Sequence, residues 1–264
     1  MTLKNIFKKY KTDKISHKYH LIYEKYFSEI KDKKLNILEI GVADGSSLLA
    51  WSKYFKNSKI IGIDIKKISS KIILPKNVFF YQGSQSDKSF LDKLINIHKK
   101  FDIIIDDGSH HPADVIFSFK NMFNSLSLKG LYFAEDMQTS YNHFFGGNPF
   151  DLNYANTHMN YFKRLADNIN YKEIANPFYV KKKYDGLIKS VSFYNNLVVV
   201  EKDINNIDSN LVLNNSYENK RYNTKIKRKN EKIRYFIKYK ILFKLYTLLF
   251  FIFNLIKKII LLRF

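Results

Sequence analysis

The sequence predicts an α/β fold built on a mostly parallel sheet, and two observations carry that prediction. Residues Phe101 to Tyr141 hold two short apolar runs, Ile103-Ile104-Ile105 and Leu131-Tyr132-Phe133, on either side of a segment in which Val115, Phe119, Met122 and Phe123 recur at helical spacing. Strand, helix and strand of this length make a βαβ unit, whose strands are parallel and adjacent or nearly so. Each apolar run also ends in an acidic pair, Asp106-Asp107 after the first and Glu135-Asp136 after the second. Parallel strands bring both pairs to one edge of the sheet, the carboxyl edge at which open α/β sheets bind ligands. Four carboxylates gathered there repel one another unless a cation or protonation compensates.

Composition bounds the rest. A chain of 264 residues suits one domain plus an appendage. Its hydrophobic content of 45% is enough for a packed core and excludes general disorder. The absence of Cys excludes a disulfide framework, a thiolate metal site and a Cys nucleophile. The first residues, Met1 to Lys14, contain no apolar h-region, so no secretory signal is expected and a cytoplasmic location fits. The net charge of +21 is concentrated at one end: from Lys220 onward there are fourteen Lys or Arg and one acid, Glu231, which leaves 31 basic and 23 acidic residues before it.

Taken in order, residues 1–34 read as a polar and aromatic N-terminal helical cap, with a helix expected around Tyr19 to Ile30. The stretch Tyr10 to Lys14, then Tyr19 and Tyr23, shows no period; a capping segment and a lid on the substrate side both remain open. Residues 35–202 read as the main domain. Leu35 to Ile40 is a buried strand that runs into the turn Gly41 to Ser47 and then a helix through Trp51 and Phe55. A glycine turn there lets backbone N–H groups and a helix N-terminus approach a polar ligand. Its spacing is neither the three-glycine dinucleotide fingerprint nor a phosphate-binding loop ending in Lys-Ser/Thr. Lys59 to Ile65 is a second strand, with Asp64 near its end, placed to accept ribose hydroxyls. Asn77 to Tyr81 is a third. The polar turn Gln82 to Asp87 after it either contacts an adenine or caps the helix Phe90 to His98. A helix is expected over Tyr154 to Ala166. Asn195-Asn196, between Val191–Tyr194 and Leu197–Glu201, is a two-residue hairpin turn, since Asn tolerates positive φ. Residues 203–224 read as a linker and 225–264 as a basic, apolar tail.

The runs LEIGVADGSS, GIDI, DDGSHH and GLYFAEDMQTSY resemble the class I S-adenosylmethionine-dependent methyltransferases. More narrowly they resemble the metal-dependent sugar O-methyltransferases of the mycinamicin type, together with cephalosporin hydroxylase-like and rhamnosyl O-methyltransferase relatives. The resemblance covers about residues 8–202. It implies a Rossmann-like seven-stranded methyltransferase sheet, mostly parallel, ending in an antiparallel hairpin. It implies S-adenosyl-L-methionine and Mg²⁺ as cofactors. Glu39, Gly41 and Asp44 would lie around the methionine part, Asp64 on the ribose, Gln85 and Asp87 near the adenine, and Asp106 among the cofactor-binding residues. Asp107, Glu135 and Asp136 would bind the metal, and His110 would be the general base, with His111 as the competing imidazole.

The chemistry agrees on its own terms. A sugar hydroxyl is a poor nucleophile, and Mg²⁺ takes carboxylate oxygens in an octahedron while leaving positions for vicinal hydroxyls. The expected substrate is a sugar in a bacterial surface glycan or glycosylated metabolite. No nucleic acid is expected as a partner, although a nucleic-acid methyltransferase and a non-catalytic membrane-associated glycan-assembly factor are the competing readings. In the tail, Lys240, Lys244, Thr247, Phe251, Asn254 and Lys258 recur every three or four residues, a narrow polar stripe on an otherwise apolar helix. The uncharged run Leu245 to Ile256 would be about 18 Å long at 1.5 Å per residue, short of the roughly 20 residues a span needs. An amphipathic helix lying on the inner face of the cytoplasmic membrane is therefore expected, with packing into a partner in a homo-oligomer, or a true span, as alternatives.

Overall fold

The computed structural model describes residues 1–174, 178–207, 241–242, 244–249 and 252. These divide into two units, residues 1–171 with 182–206, and residues 172–181 with the described residues from 207 onward. The first unit is a seven-stranded sheet with helices on both faces. Its strands are β1 (Asn36–Ile40), β2 (Lys59–Asp64), β3 (Val78–Gln82), β4 (Phe101–Asp106), β5 (Leu126–Ala134), β6 (Ile188–Tyr194) and β7 (Leu197–Lys202), arranged in the order β3-β2-β1-β4-β5-β7-β6. The first five pair in parallel, and β7 runs antiparallel to both β5 and β6. The strand order reverses between β1 and β4, which sets the switch point of the sheet there.

The core explains why the apolar runs are strands. Ile103 and Ile105 of β4 pack on one face with Trp51, Tyr23 and Phe27, while Ile104 packs on the other with Phe119, Met122 and Tyr132. A run buried on both faces needs apolar residues at every position. Helices α1 (Leu3–Tyr10), α2 (Tyr19–Phe27) and α3 (Ser46–Tyr54) lie on the first face. Helices α4 (Lys88–His98), α5 (Pro112–Met122), α6 (His158–Lys163) and α7 (Leu165–Ile169) lie on the second.

The N-terminal segment is built into this core. Thr2 caps α1 by accepting the Asn5 N–H, and Leu3, Ile6 and Phe7, spaced three and four apart, are buried against Trp51 and Tyr23. Between α1 and α2 a short helical turn, Asp13–Ile15, directs Lys14 inward. The hairpin turn falls at Asn195-Asn196, and Asn196 takes the positive φ of 58°. One helix differs from expectation. Residues 154–157 form turns, and α6 starts only after Thr157, whose hydroxyl accepts the Asn160 N–H; a second helix, α7, follows Arg164. Asn160 Nδ2 donates to the carbonyls of Leu152 and Tyr154, which holds that upstream loop in place of another helical turn.

The described tail residues 241–242, 244–249 and 252 are helical, and among the described residues no helix is long and apolar enough to cross a membrane. Residues 203–207 of the expected linker are described and form no helix or strand, and the rest of the linker and tail lies outside the described residues.

Candidate active site

A cavity of about 830 Å³ opens at the carboxyl ends of the strands. Gly41 to Asp44 after β1, Asp64 at the end of β2, Gly83 to Gln85 after β3 and Asp107 to His110 after β4 form its walls, with Asp136 beyond β5 and Lys11 to Asp13 from the N-terminal segment. Gly41 has φ of 79°, and a Cβ there would sit 2.1 Å from the Asp107 carbonyl oxygen. The turns after β1 and β4 therefore touch, and only glycine permits it.

Asp64 lines the cavity. Its Oδ2 accepts the Val42 and Ala43 N–H groups at 3.0 Å each and its Oδ1 accepts Lys66 N–H at 2.8 Å. A carboxylate offers about four lone-pair sites, so roughly one remains for a ligand hydroxyl. Asp64 thus also fixes the glycine turn. Asp44 lines the cavity while accepting from Ser46 N and Oγ. Gln85 reaches the wall but is 6% exposed, donating to Asp106 Oδ1 at 3.1 Å and accepting Ser109 N–H at 2.7 Å.

Three residues named for the cofactor are not among the cavity-lining residues. Asp87 caps α4, accepting from the N–H groups of Ser89 and Phe90. Asp106 is 1% exposed and accepts from Ser118, from Tyr132 OH and from Gln85. Burial pushes its pKa up to about 6 against the pull of those donors. Glu39 is fully buried, where it accepts from Ser47 Oγ at 2.6 Å and Trp51 Nε1 at 3.1 Å.

The acids after β4 and β5 divide into an inner and an outer set. Asp136 has φ of 53°, a left-handed backbone that turns it away from its neighbour Glu135. Asp107, His110 and Asp136 each bring one potential ligand atom within 4.8 Å of the others. His110 Nε2 lies 3.5 Å from Asp136 Oδ2, and His110 itself has φ of 58°. Thr139 Oγ1 donates to the His110 carbonyl at 2.8 Å, which ties the turn after β4 to the turn after β5. His111 points elsewhere: it is exposed, stands at the N-terminus of α5 and packs against the Phe145 ring. Glu135 stands outside the Asp107, His110 and Asp136 group. It is 2% exposed, and its Oε1 accepts from both Tyr23 OH and Lys14 Nζ.

Three residues of the site carried no assigned role in the sequence. Lys14, Tyr19 and Tyr23 all come from the N-terminal segment. Tyr19 OH donates to Asp136 Oδ1 at 2.7 Å. Lys14 is 1% exposed, with Nζ 2.5 Å from Asp107 Oδ2, 2.7 Å from Glu135 Oε1 and 3.4 Å from Glu39 Oε1. Burial pulls the Lys14 pKa down, but Asp107, Glu135 and Glu39 outweigh it and the net shift is well upward. Burial, and next the Asp107 charge, push Glu135 well above the usual carboxylate range. The only signal in the sequence was an aperiodic run of Lys and Tyr ahead of the first strand.

The profile of the FtsJ-like methyltransferases matches residues 10–142, half of the chain. The chain belongs to the FtsJ-like methyltransferase family. Among curated proteins, this FtsJ-like chain is 34% identical over 195 residues to mycinamicin VI 2''-O-methyltransferase of Micromonospora griseorubida, covering 69% of the chain and 47% of the relative. It is also 34% identical over 197 residues to 8-demethyl-8-alpha-L-rhamnosyl tetracenomycin-C 2'-O-methyltransferase of Streptomyces olivaceus, covering 72% and 51%. The chain spans about half the length of these curated relatives. Its fold matches the MycE methyltransferase of the mycinamycin biosynthetic pathway, solved in complex with Mg and SAH, at 32% identity and a TM-score of 0.75, over 79% of this chain and 56% of that one. The seven-stranded mixed sheet of this FtsJ-like chain is the methyltransferase fold.

Proposed function

We propose that this chain is an S-adenosylmethionine-dependent, Mg²⁺-dependent O-methyltransferase acting on a sugar hydroxyl. The observation that carries this reading is the convergence of Asp107, His110 and Asp136 in the wall of a cavity on the switch point of the sheet. The named activities of the relatives and the Mg and SAH held by the MycE structure support it.

The donor set fits a hard divalent ion. Lys14 donates to Asp107 Oδ2, and Asp107 Oδ1 accepts no hydrogen bond among the described residues. Mg²⁺ favours such carboxylate oxygens and keeps positions for water or substrate. Asp107 and Asp136 would hold it, with Glu135 behind them. Bound there, Mg²⁺ would supply Lewis acidity toward a substrate hydroxyl. Gly41 to Asp44 and Asp64 would hold S-adenosylmethionine, which would supply the methyl group on a sulfonium. His110 accepts the proton of the attacking hydroxyl, and Asp136, 3.5 Å from Nε2, stabilises the charged imidazolium that results. Both turns that carry these groups are held by the Thr139 link, so the base and the acids keep a common geometry.

The substrate is placed, on the same reading, among surface glycans or glycosylated metabolites, and residues 225–264 act as a peripheral contact with an anionic membrane. The test of the core reading is methyl transfer from labelled cofactor to glycan and glycoside acceptors, with EDTA and then with excess Mg²⁺. Transfer lost in EDTA and restored by Mg²⁺ is expected; full transfer in EDTA overturns the metal role. Asp64→Ala should weaken cofactor binding by about 1–3 kcal/mol, since it removes a polar partner and an anchor of the glycine turn. Calorimetric titration reads that loss, and unchanged affinity removes Asp64 from the site.

A further inference from the structure

One buried cation is used by none of the steps above. Lys14 stands on the turn between α1 and α2, 93 residues from Asp107 and 121 from Glu135 in sequence, yet it is 1% exposed. A lysine is almost never so buried unless paired. Its ammonium has three protons, and three carboxylates face it: Asp107 Oδ2 at 2.5 Å, Glu135 Oε1 at 2.7 Å and Glu39 Oε1 at 3.4 Å. The neighbouring hydroxyls of Tyr19 and Tyr23 donate to Asp136 and Glu135 but bring no charge.

Charge decides what this arrangement is for. Glu39, Asp107, Glu135 and Asp136 carry four negative charges when ionised, and Lys14 returns one. A divalent ion returns two more, and the sulfonium of the cofactor the last. Lys14 holds Asp107 by Oδ2, and among the described residues Oδ1 accepts no hydrogen bond, so a carboxylate oxygen is left for the ion.

We propose that Lys14 is the resident counter-cation of the acidic edge, a positioning residue that holds Asp107 and Glu135 together before any metal arrives and sets how much negative charge is left to bind it. The proposal rests on the metal reading above. It makes the N-terminal segment part of the metal site: the chain supplies one charge of the neutralisation, and the divalent ion completes it. An edge carrying this ammonium stays folded without metal and binds the ion more weakly, hence exchangeably, than the bare carboxylates would.

The test uses the full-length chain and three proteins: wild type, Lys14→Met, which keeps length and loses charge, and the double variant Lys14→Met/Glu135→Gln. In EDTA, Lys14→Met should unfold about 10 °C below wild type, the scale of breaking a buried ion pair in a domain of this size. The double variant should recover at least half of that loss. Calorimetric titration with MgCl₂ should give a Kd roughly tenfold lower for Lys14→Met than for wild type, because one repelling charge has gone. A purely packing role for Lys14 would not tighten Mg²⁺.

An EDTA melting point equal to that of wild type overturns the proposal. So does an Mg²⁺ affinity that is unchanged or weaker in Lys14→Met, or a double variant no more stable than the single one. Should Lys14→Met fail to fold, folding restored by Glu135→Gln supports the proposal, and a double variant that also fails overturns it. If wild type shows no Mg²⁺ response, the metal reading falls, and the melting comparison in EDTA still judges the counter-cation.

Discussion

His110 shows how much the site asks of single residues. A left-handed backbone at a residue with a Cβ costs about 1–2 kcal/mol, and both His110 and Asp136 adopt one. The Thr139 hydroxyl bonded to the His110 carbonyl helps to hold that conformation. His110→Ala should lower methyl transfer by about 10²–10⁴-fold with calorimetric cofactor affinity kept, the loss expected for a general base. His111→Ala should leave transfer within about threefold, because that ring is exposed beside Phe145. The reverse pattern would transfer the base to His111. A third imidazole has a different role. His158 is fully buried, within 3.1 Å of Ser140 Oγ, and burial, then the His110 charge, lower its pKa from 6.5 to about 4. The folded chain keeps His158 neutral while the unfolded chain protonates it below about pH 6.5. Its contribution is therefore complete above that value and lost as pH falls toward 4, by about 3 kcal/mol. The difference in unfolding free energy between wild type and His158→Gln should shrink by that amount from about pH 7 to about pH 4; a difference independent of pH would show that His158 does not stay neutral.

Among the elements, the junction of β1, its glycine turn and α3 matters most. It stands at the switch point, and the turn is clamped from both sides: Asp64 accepts its Val42 and Ala43 amides, and the Asp107 backbone lies against Gly41. Gly41→Ala should destabilise the fold by roughly 2–5 kcal/mol, combining the positive φ with an overpacked contact. Denaturant unfolding measures it, and a loss below about 1 kcal/mol would mean that the turn yields more readily than its contacts indicate. The unit β4-α5-β5 was readable because its signals are local: two apolar runs, a helical period and Pro112 at the start of α5. The expected helix over 154–166 was not, because Thr157 and the Asn160 amide compete for the same backbone groups through contacts that periodicity does not encode.

At the scale of the whole molecule, the sheet unit contains every residue assigned to the candidate chemistry, and the strong positive charge lies beyond it. Basic residues near an anionic membrane contribute about 1 kcal/mol each. Deleting residues 225–264 should leave cofactor affinity unchanged by calorimetry and abolish sedimentation with vesicles containing phosphatidylserine. Full-length protein that does not sediment with such vesicles at low salt would remove the membrane role, and loss of cofactor binding on deletion would assign the tail to the catalytic unit.

The sequence by itself determined the α/β fold, the shared edge of the two acidic pairs and the hairpin at Asn195-Asn196, because each depends on residues close together along the chain. The resemblance extended that reading to a seven-stranded sheet. The tertiary structure decided which acid faces where. Asp106 and Asp107 are neighbours, yet one is sealed among Ser118, Tyr132 and Gln85 and the other reaches the cavity, since successive residues at the end of a strand point to opposite sides. Glu135 and Asp136 part because Asp136 turns through a left-handed backbone. Asp106 is kept apart from the other acids, and a cation of the chain itself, Lys14, stands against Asp107 and Glu135 with Glu39 as the third acid. Its distance in sequence hides it, because only the docking of α1 and α2 on the sheet carries that ammonium to the acids.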